Sequence, residues 1–342
     1  MGSGTKVCMG CMSEMEHGAY ICPICGHDSR TPNPEEALPQ GTMLGKYYIG
    51  AAVSQNDLII EYMAFDTEGR RKVLIKEFFP RSTALRAVNG MEVLVGYEHQ
   101  AAFRTLLSDY SDRWKRLSKI ESRSLVPILD IFQANNTAYR VSLYMPLRPL
   151  NVILEERGKM SPEEVKTAFL PLFTLLSRLH NIGIYHCGIS PETVKADEKG
   201  QLVLTGFSLP ELRTLDSGYK SILYDGYSAP EQYSKALWQG EWTDIYSLGA
   251  LIYKALSGVT PPTSITRRDK DRLKPLSVLE PTVPEAFCAA VRKLLSLIRG
   301  TDSYRQISFL RRFWETKSPT PRYFRHLPAR IKRIISSPLK QN

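Results

Sequence analysis

The order of the strand and helix patterns constrains the fold of this 342-residue chain more than any other feature. Apolar segments typical of strands cluster early, at residues 47–53, 57–65 and 70–79. Helix patterns come later. Residues 161–180 open on Ser-Pro-x-Glu, a helix start with a capping box, and residues 242–258 are apolar on most faces, as in a buried helix. Strands followed by helices in this way predict an α+β protein with a small β-rich lobe and a larger helical lobe.

Four cysteines near the N-terminus give a second constraint. Cys8, Cys11, Cys22 and Cys25 form a C-x2-C-x10-C-x2-C pattern, and two such pairs supply the four thiolates of a tetrahedral zinc site. A segment this short cannot bury enough apolar surface alone, so metal binding would supply its folding energy. Two disulfides or free thiols are the alternatives. The pattern predicts a structural zinc ribbon over residues 6–30.

Composition divides the rest of the chain. Residues 31–42 are rich in proline and acidic side chains and are interpreted as a linker. Residues 43–315 carry the strand and helix patterns. Residues 316–342 form a basic tail with seven Lys and Arg residues and no acidic one.

The net charge of +10 is concentrated in this tail, which leaves a body close to +3. That balance argues against nucleic acid as a partner of the body. The tail is either a solvated end or a basic segment for an anionic membrane surface. Since no apolar run approaches the roughly 20 residues of a membrane span, we expect a cytoplasmic protein. Membrane tethering is the alternative if the native chain continues past the tail.

Several motifs occur in a fixed order within residues 43–315: VLIKEFFP at 73–80, HNIGIYHCGISPETV at 180–194, GYSAPEQY at 226–233 and QGEWTDIYSLGALIYKALSG at 239–258. In this order they resemble the bacterial eukaryotic-like serine/threonine protein kinases, especially those preceded by a zinc ribbon. The resemblance implies a bilobal protein-kinase-like fold, with an N-lobe over about 43–144 and a C-lobe over about 145–315.

The resemblance also implies roles for individual residues. Lys76 matches the lysine that pairs with nucleotide phosphates, and its acidic partner is expected on a helix within 100–119, where Asp112 is best placed. The other matches are structural landmarks of the family: His186, Phe207, Glu231, Asp244 and Arg305. Arg305 is expected to form an ion pair with Glu231.

The catalytic positions depart from the family's pattern. Gly188 stands at the aspartate base, Thr193 at the magnesium-binding asparagine and Gly206 at the magnesium-binding aspartate. The glycine-rich loop aligns with residues 53–62, which contain no glycine. Phosphoryl transfer depends on positioning and charge neutralisation, and removing one such stabiliser typically costs about 3–4 kcal/mol. Four simultaneous losses predict a protein without kinase activity.

We therefore expect a pseudokinase that acts as a signalling scaffold or allosteric regulator. Its expected partners are proteins, such as an active kinase or a membrane signalling complex. Zinc is the expected cofactor, whereas ATP and magnesium are not expected. The first alternative is a weak or repurposed ATP-dependent kinase, or another nucleotide-dependent transferase, that relies on Lys76. A further alternative makes the zinc ribbon the working module, docking protein or nucleic acid.

Overall fold

The computed structural model of the protein describes residues 4–296. These residues divide into two compact units, the first made of residues 4–119 and 127–144 and the second of residues 120–126 and 145–296. The expected basic tail and the expected Glu231–Arg305 ion pair involve positions outside the described residues.

The first unit is rich in strands. Its elements, in chain order, are β1 (Thr5–Val7), β2 (Glu14–Glu16), β3 (Met43–Leu44), β4 (Tyr47–Gln55), β5 (Ile59–Asp66), β6 (Arg71–Phe78), β7 (Ala84–Arg86), β8 (Val93–Val95), helix α1 (Gln100–Leu117), β9 (Ile128–Ala134) and β10 (Thr137–Leu143). Six of these strands form one antiparallel sheet in the order β3-β4-β5-β6-β10-β9. The three early strands predicted from the sequence are confirmed as β4, β5 and β6.

One face of this sheet packs against helix α1. The helix buries a row of side chains at the three- and four-residue spacing of one helix face, which includes Phe103, Tyr110 and Trp114. Phe78 of β6 lies 5.5 Å from Phe103 and 5.4 Å from Tyr110 between ring centroids. The core of the first unit is therefore an aromatic layer between helix and sheet.

The second unit is mainly helical. Its elements are β11 (Arg148–Pro149), α2 (Leu150–Arg157), α3 (Pro162–Asn181), β12 (Val194–Ala196), β13 (Leu202–Leu204), α4 (Glu241–Ser257), α5 (Ser264–Asp269), α6 (Leu276–Leu279) and α7 (Glu285–Leu294). The three short strands form one antiparallel sheet in the order β11-β12-β13.

Both long helices of this unit confirm the sequence patterns. The predicted capping box at the start of α3 is present, because the backbone N–H of Glu164 donates to Ser161 Oγ at 3.2 Å and the N–H of Ser161 donates to Glu164 Oε2 at 2.8 Å. Helix α4 is buried on nearly every side, as its apolar composition predicts. Within residues 4–296, none of the helices combines the length and the hydropathy required to cross a bilayer.

Candidate functional site

The loop that carries the degenerate catalytic motif is held by one buried carboxylate. Asp244 of α4 accepts the backbone N–H of His186 at 2.9 Å and that of Cys187 at 2.7 Å, and it lies 2.8 Å from His180 Nε2. Burial alone would raise the pKa of Asp244, but the bond to His180 and the neighbouring groups outweigh it and lower that pKa. Asp244 thus fixes the loop, including Cys187 with its positive φ of 55°.

His186 holds the next strand end in place. Its Nε2 lies 2.8 Å from the carbonyl oxygen of Thr205. Its ring meets the ring of Phe207 edge to face, with centroids 4.5 Å apart. Both side chains are buried, so these two family landmarks act here as packing groups beneath the loop.

Gly188, at the position of the family's base, lies against an arginine from further along the chain. A Cβ atom on Gly188 would lie 2.6 Å from Nε and 2.8 Å from Nη1 of Arg213, and closer still to Cζ. Arg213 is only 2% exposed. The space next to the loop backbone that a side chain at position 188 would enter is therefore filled by a guanidinium group.

The same guanidinium reaches Gly206, at the position of the family's magnesium-binding aspartate. Arg213 Nη2 donates to the carbonyl oxygen of Gly206 at 2.7 Å, and Nη1 donates to that of Ile222 at 2.9 Å. Gly206 has a φ of +76°, and a Cβ there would lie 2.7 Å from Thr193 Cγ2. Position 206 is thus restricted by both its backbone conformation and its neighbours.

The hydroxyl of Thr193 forms hydrogen bonds within the loop itself. Its Oγ1 donates to the carbonyl oxygen of Gly188 at 2.7 Å and accepts the backbone N–H of Ser190 at 2.9 Å. A hydroxyl engaged in this way is a poor substitute for the metal-binding amide of an asparagine.

The backbone of Arg213 is tied down as well. Its carbonyl oxygen accepts from Gln232 Nε2 at 3.0 Å and from Gln239 Nε2 at 3.1 Å, and Gln232 Nε2 also donates to the carbonyl oxygen of Cys187 at 2.6 Å. Within residues 4–296 no carboxylate forms an ion pair with Arg213, and its Nε has no hydrogen-bond partner. Burying a cation is electrostatically unfavourable unless its donors are satisfied. The hydrogen bonds of Arg213 to the carbonyl oxygens of Gly206 and Ile222 offset part of this cost.

Two carboxylates that the family uses for phosphoryl transfer are absent from this arrangement. Neither position 188 nor position 206 supplies a carboxylate that could orient a hydroxyl or bind magnesium. The buried positive charge of Arg213 also disfavours a divalent cation at this place.

Sequence reasoning missed Arg213. It follows a short strand in a segment of mixed composition, and nothing in its local pattern distinguishes it from an exposed arginine. The available signal was the replacement of both carboxylates by glycine, which leaves space that another side chain can fill.

Lys76, on β6, pairs with a strand residue and not with the helix residue predicted. Its Nζ lies 3.4 Å from Oε1 of Glu61 on β5, and Ser54 Oγ donates to Glu61 Oε2 at 2.9 Å. The side chain of Asp112, the acid favoured from the sequence, is 66% exposed, and its Oδ1 lies 3.9 Å from Lys115 Nζ on the same helix. The prediction of Asp112 as partner is therefore wrong, because α1 turns its aromatic face and not its acids to the sheet.

That aromatic face makes two polar contacts with the sheet. The Tyr110 hydroxyl donates to the backbone carbonyl of Lys76 at 3.1 Å. The Arg140 guanidinium on β10 lies 3.8 Å from the centre of the Trp114 ring, a cation–π contact. Helix α1 is thus fixed to the sheet by a tyrosine hydrogen bond and a cation–π contact.

The hairpin between β4 and β5 replaces the glycine-rich loop of the family. The side-chain oxygen of Asn56 accepts the N–H groups of Leu58 and Ile59, both at 3.0 Å, and Leu58 is completely buried. The carbonyl oxygen of Leu58 accepts from the N–H of Phe79 at 2.7 Å. The hairpin tip buries the side chain of Leu58, and the N–H groups of Leu58 and Ile59 already donate to Asn56. Few N–H groups of this tip therefore remain to bind phosphate.

The four N-terminal cysteines converge at one point. Their sulfur atoms all lie within 4.8 Å of one another, with Cys8 to Cys25 at 3.7 Å and Cys11 to Cys22 at 3.8 Å. A tetrahedron of sulfur ligands about 2.3 Å from a zinc ion has edges of about 3.8 Å. The donor set and its dimensions therefore fit zinc.

Backbone groups favour a thiolate at one of these positions. Burial opposes ionisation of Cys22, but N–H groups of Cys25 and Ile24 outweigh it and lower the pKa of this thiol to about 7. Burial raises the pKa of Cys8. The backbone thus favours a thiolate at Cys22, whereas burial raises the pKa of Cys25 in the same Cys-x-x-Cys pair.

The cysteine-rich segment and the linker complete a bulge in β4. The carbonyl oxygen of Met9 accepts the N–H of Ala51 at 2.8 Å. Asn33 accepts the N–H of Ala52 at 2.8 Å and donates to the carbonyl oxygen of Gly50 at 3.0 Å. These backbone groups lie where the register of β4 and β5 shifts, so the segment satisfies groups that the sheet leaves open.

Two further contacts join the cysteine-rich segment to the six-stranded sheet. Lys72 Nζ on β6 donates to Ser13 Oγ at 2.6 Å. Gly50 lies against Met12 Cε, Met9 O and Met63 O so closely that no Cβ could be added without displacement. The cysteine-rich segment is therefore part of the first unit and not a separately tethered module.

Glu231 is buried and accepts from the hydroxyl of Thr243 on α4. This contact anchors the Ala-Pro-Glu segment to α4 within the described residues. Its predicted partner, Arg305, lies outside them.

Comparison with known proteins agrees with this architecture. The family model described as protein kinase domain matches residues 104–311, more than half of the chain. The chain therefore belongs to the protein kinase domain family. The strand-rich first unit, the helical second unit and the match together make its fold protein-kinase-like.

Individual relatives are distant. Serine/threonine-protein kinase PknL of Mycobacterium tuberculosis is 26% identical over 192 residues, 52% of this chain and 48% of its own length. Carbon catabolite-derepressing protein kinase of Saccharomyces cerevisiae is 24% identical over 232 residues, 68% of this chain and 34% of its own length. The chain thus spans less than half the length of either curated relative.

A solved structure described as "PpkA-294 apo form" is similar over most of this chain. It has a TM-score of 0.65 and 25% sequence identity, and the match covers 80% of this chain and 99% of that one.

Proposed function

We propose that this protein is a catalytically inactive member of the protein kinase family, a pseudokinase that acts as a signalling scaffold or allosteric regulator. One observation carries the proposal. The buried guanidinium of Arg213 packs over Gly188 and donates to Gly206, the two positions at which the family places the base and a magnesium ligand. The site has lost its two carboxylates and holds a cation in their place.

Retained architecture supports the scaffold role. Asp244 still holds the loop, His186 still packs on Phe207, and Glu231 is still anchored to α4. These contacts maintain a shape without supporting a reaction. The partners we propose are proteins, such as an active kinase or a membrane signalling complex that recognises this shape.

Phosphoryl transfer is the first test. The purified chain, incubated with magnesium and labelled ATP, is expected to transfer no more phosphate to itself or to casein than its Lys76→Met variant does. Transfer that depends on Lys76 would overturn the proposal and favour a weak or repurposed kinase.

Nucleotide binding is a separate test. A ligand present at 100 times its dissociation constant stabilises a protein by about 2.7 kcal/mol, which a thermal melt detects readily. We expect ATP to leave the melting temperature unchanged with or without magnesium. A shift in both conditions would favour metal-independent nucleotide binding.

We further infer that Cys8, Cys11, Cys22 and Cys25 hold one structural zinc ion. The fit of their sulfur positions to a tetrahedral site supports this inference. Because all four protein ligands are present, no open position remains for a catalytic water. Zinc would tie together a segment that has few buried apolar side chains of its own.

The scaffold role can be tested in the cell that makes the protein. If binding is the function, Lys76→Met should complement a deletion as well as the wild-type gene does. Asp244→Ala, which releases the loop, should fail to complement. Failure of Lys76→Met at normal protein levels would contradict a purely structural role.

A further inference from the structure

A line of polar side chains crosses one face of the sheet in the first unit. Ser54 stands directly opposite Glu61, Glu61 opposite Lys76, and Lys76 opposite Arg140, on the neighbouring strands β4, β5, β6 and β10. Directly opposite residues of antiparallel strands have Cβ atoms only about 5 Å apart and point to the same face. The four side chains therefore form a continuous row.

The row holds two cations and one anion. Glu61 accepts from Ser54 at 2.9 Å and lies 3.4 Å from Lys76 Nζ. The side chains of Lys76 and Glu61 are 20% and 18% exposed, so water reaches them only in part. Arg140 is buried against the ring of Trp114, and its Nε has no hydrogen-bond partner within the described residues.

The carboxylate of Glu61 interacts electrostatically with both Lys76 and Arg140. Burial alone would raise the pKa of Glu61, but Lys76, the Ser54 hydroxyl and Arg140 together outweigh it and lower that pKa. Burial lowers the pKa of Arg140, and the charge of Glu61 opposes this change. The row is thus electrostatically coupled, with the single negative charge of Glu61 offsetting part of two partly dehydrated positive charges.

The Ser54 hydroxyl and the Lys76 ammonium contact Glu61, and the Arg140 guanidinium adds positive charge nearby. A hydroxyl, an ammonium and a guanidinium are the donors that bind phosphate oxygens in proteins. What prevents a free anion from using them is the carboxylate already among them.

We propose that Glu61 is the resident anion of a two-cation site, and that its carboxylate excludes phosphate and polyphosphate from this face of the sheet. Glu61 is then a specificity-determining residue whose removal leaves both cations of the row without its carboxylate and creates an anion-binding site. This inference concerns the first unit alone and does not rest on the proposed lack of catalysis.

The experiment compares pyrophosphate binding by three full-length proteins in magnesium-free buffer, using isothermal titration calorimetry. The proteins are the wild type, Glu61→Gln and the control Glu68→Gln. Glu68 is a matched control, because its distance to Lys46 in the same unit is also 3.4 Å but its side chain is 74% exposed. We expect Glu61→Gln to bind pyrophosphate at least about 10-fold more tightly than the wild type, and Glu68→Gln to match the wild type.

Two results would overturn the proposal. One is a Glu61→Gln protein that is folded by circular dichroism but binds no more tightly than the wild type. The other is an equal gain in Glu68→Gln, which would indicate a general effect of net charge. Adding Lys76→Gln to Glu61→Gln should return the affinity to the wild-type value, and a retained gain would also contradict the assignment.

The proposal can still be tested if Glu61→Gln fails to fold. If the unbalanced cations are what destabilises Glu61→Gln, the double variant Glu61→Gln with Lys76→Gln should fold and should not bind pyrophosphate. If the double variant also fails to fold, the role of Glu61 is not charge balance and the proposal is wrong.

Discussion

The guanidinium of Arg213 occupies the space into which a side chain at Gly188 would project. A Cβ at position 188 would lie 2.6 Å from Arg213 Nε, closer than real Cβ contacts allow. Arg213 cannot move away freely, because it is buried and bonded to the carbonyl oxygens of Gly206 and Ile222. The absence of a base at position 188 and the presence of this arginine are thus structurally linked.

Gly188→Ala is therefore expected to destabilise the second unit. Displacing a packed, hydrogen-bonded side chain from a close-packed site typically costs about 1–3 kcal/mol in the free energy of unfolding. Urea denaturation measures this loss. Gly18→Ala is the control, since a Cβ at Gly18 meets nothing within 4 Å, and its effect should stay within about 0.5 kcal/mol.

The interaction between Gly188 and Arg213 can be measured with a double-mutant cycle. In an Arg213→Ala background, Gly188→Ala should cost clearly less than it does in the wild type, because the obstructing group is gone. Equal costs in both backgrounds would mean that the two residues do not interact as the structure indicates.

Loss of zinc should act on the first unit. We expect one zinc ion per chain in the purified protein and less than half of that content in Cys11→Ser, as measured by inductively coupled plasma mass spectrometry. Chelation should lower the melting temperature, because ligation supplies folding energy to this segment. Cys288→Ala changes a buried cysteine far along the sequence in α7 and should retain full zinc content.

Gly50→Val should detach the cysteine-rich segment from β4. The new side chain would collide with Met12 Cε and the carbonyl oxygen of Met9, at a cost of about 1–3 kcal/mol. Hydrogen exchange detects the effect directly, since the amides of Ala51 and Ala52 donate to Met9 and Asn33. Both amides should exchange faster in the variant. Unchanged exchange at both would contradict the docking described above.

Acid should weaken the anchor at Asp244. The pKa of Asp244 is lowered in the folded state, so its contribution to stability is present above the unfolded value of about 3.9 and is lost as the pH falls through the folded value. Asp244→Asn should cost about 1–3 kcal/mol at pH 7, and the gap to the wild type should shrink as the pH falls towards 3.

The control for this pH series is Asp216→Asn. Asp216 is exposed and has a positive φ of 57°, a conformation that asparagine tolerates well. Asp216→Asn should therefore stay within about 0.5 kcal/mol of the wild type in the free energy of unfolding. Urea denaturation between pH 7 and 3 measures both variants, and a constant gap for Asp244→Asn would contradict the assigned anchor.

Much of the fold was predictable because its signals are local. The periodicity of residues 47–79 produced the strands, and Ser161 with Glu164 marked the start of α3, since both depend only on residues near in sequence. The convergence of Cys8, Cys11, Cys22 and Cys25 was likewise predictable from their spacing.

The site was only half predictable. The identities of Gly188, Thr193 and Gly206 can be read directly from the sequence, and the prediction that the protein lacks kinase activity rests on them. Long-range packing decides that Arg213 fills the space beside Gly188. Arg213 lies 25 positions after Gly188, and the docking of Met9 on Ala51 spans 42 positions of chain, distances at which periodicity carries no information.

The partner of Lys76 shows the division most clearly. The sequence by itself determined that Lys76 lies on an apolar strand and that acids occur both before and after it. Only the tertiary structure decided that Glu61 is the partner and Asp112 is not. The reason is geometric: strand register sets which side chains stand opposite one another, and the rotation of α1 sets which face meets the sheet. Both are fixed by packing of the whole unit, since burying Phe103, Tyr110 and Trp114 leaves the acids of that helix on the outside.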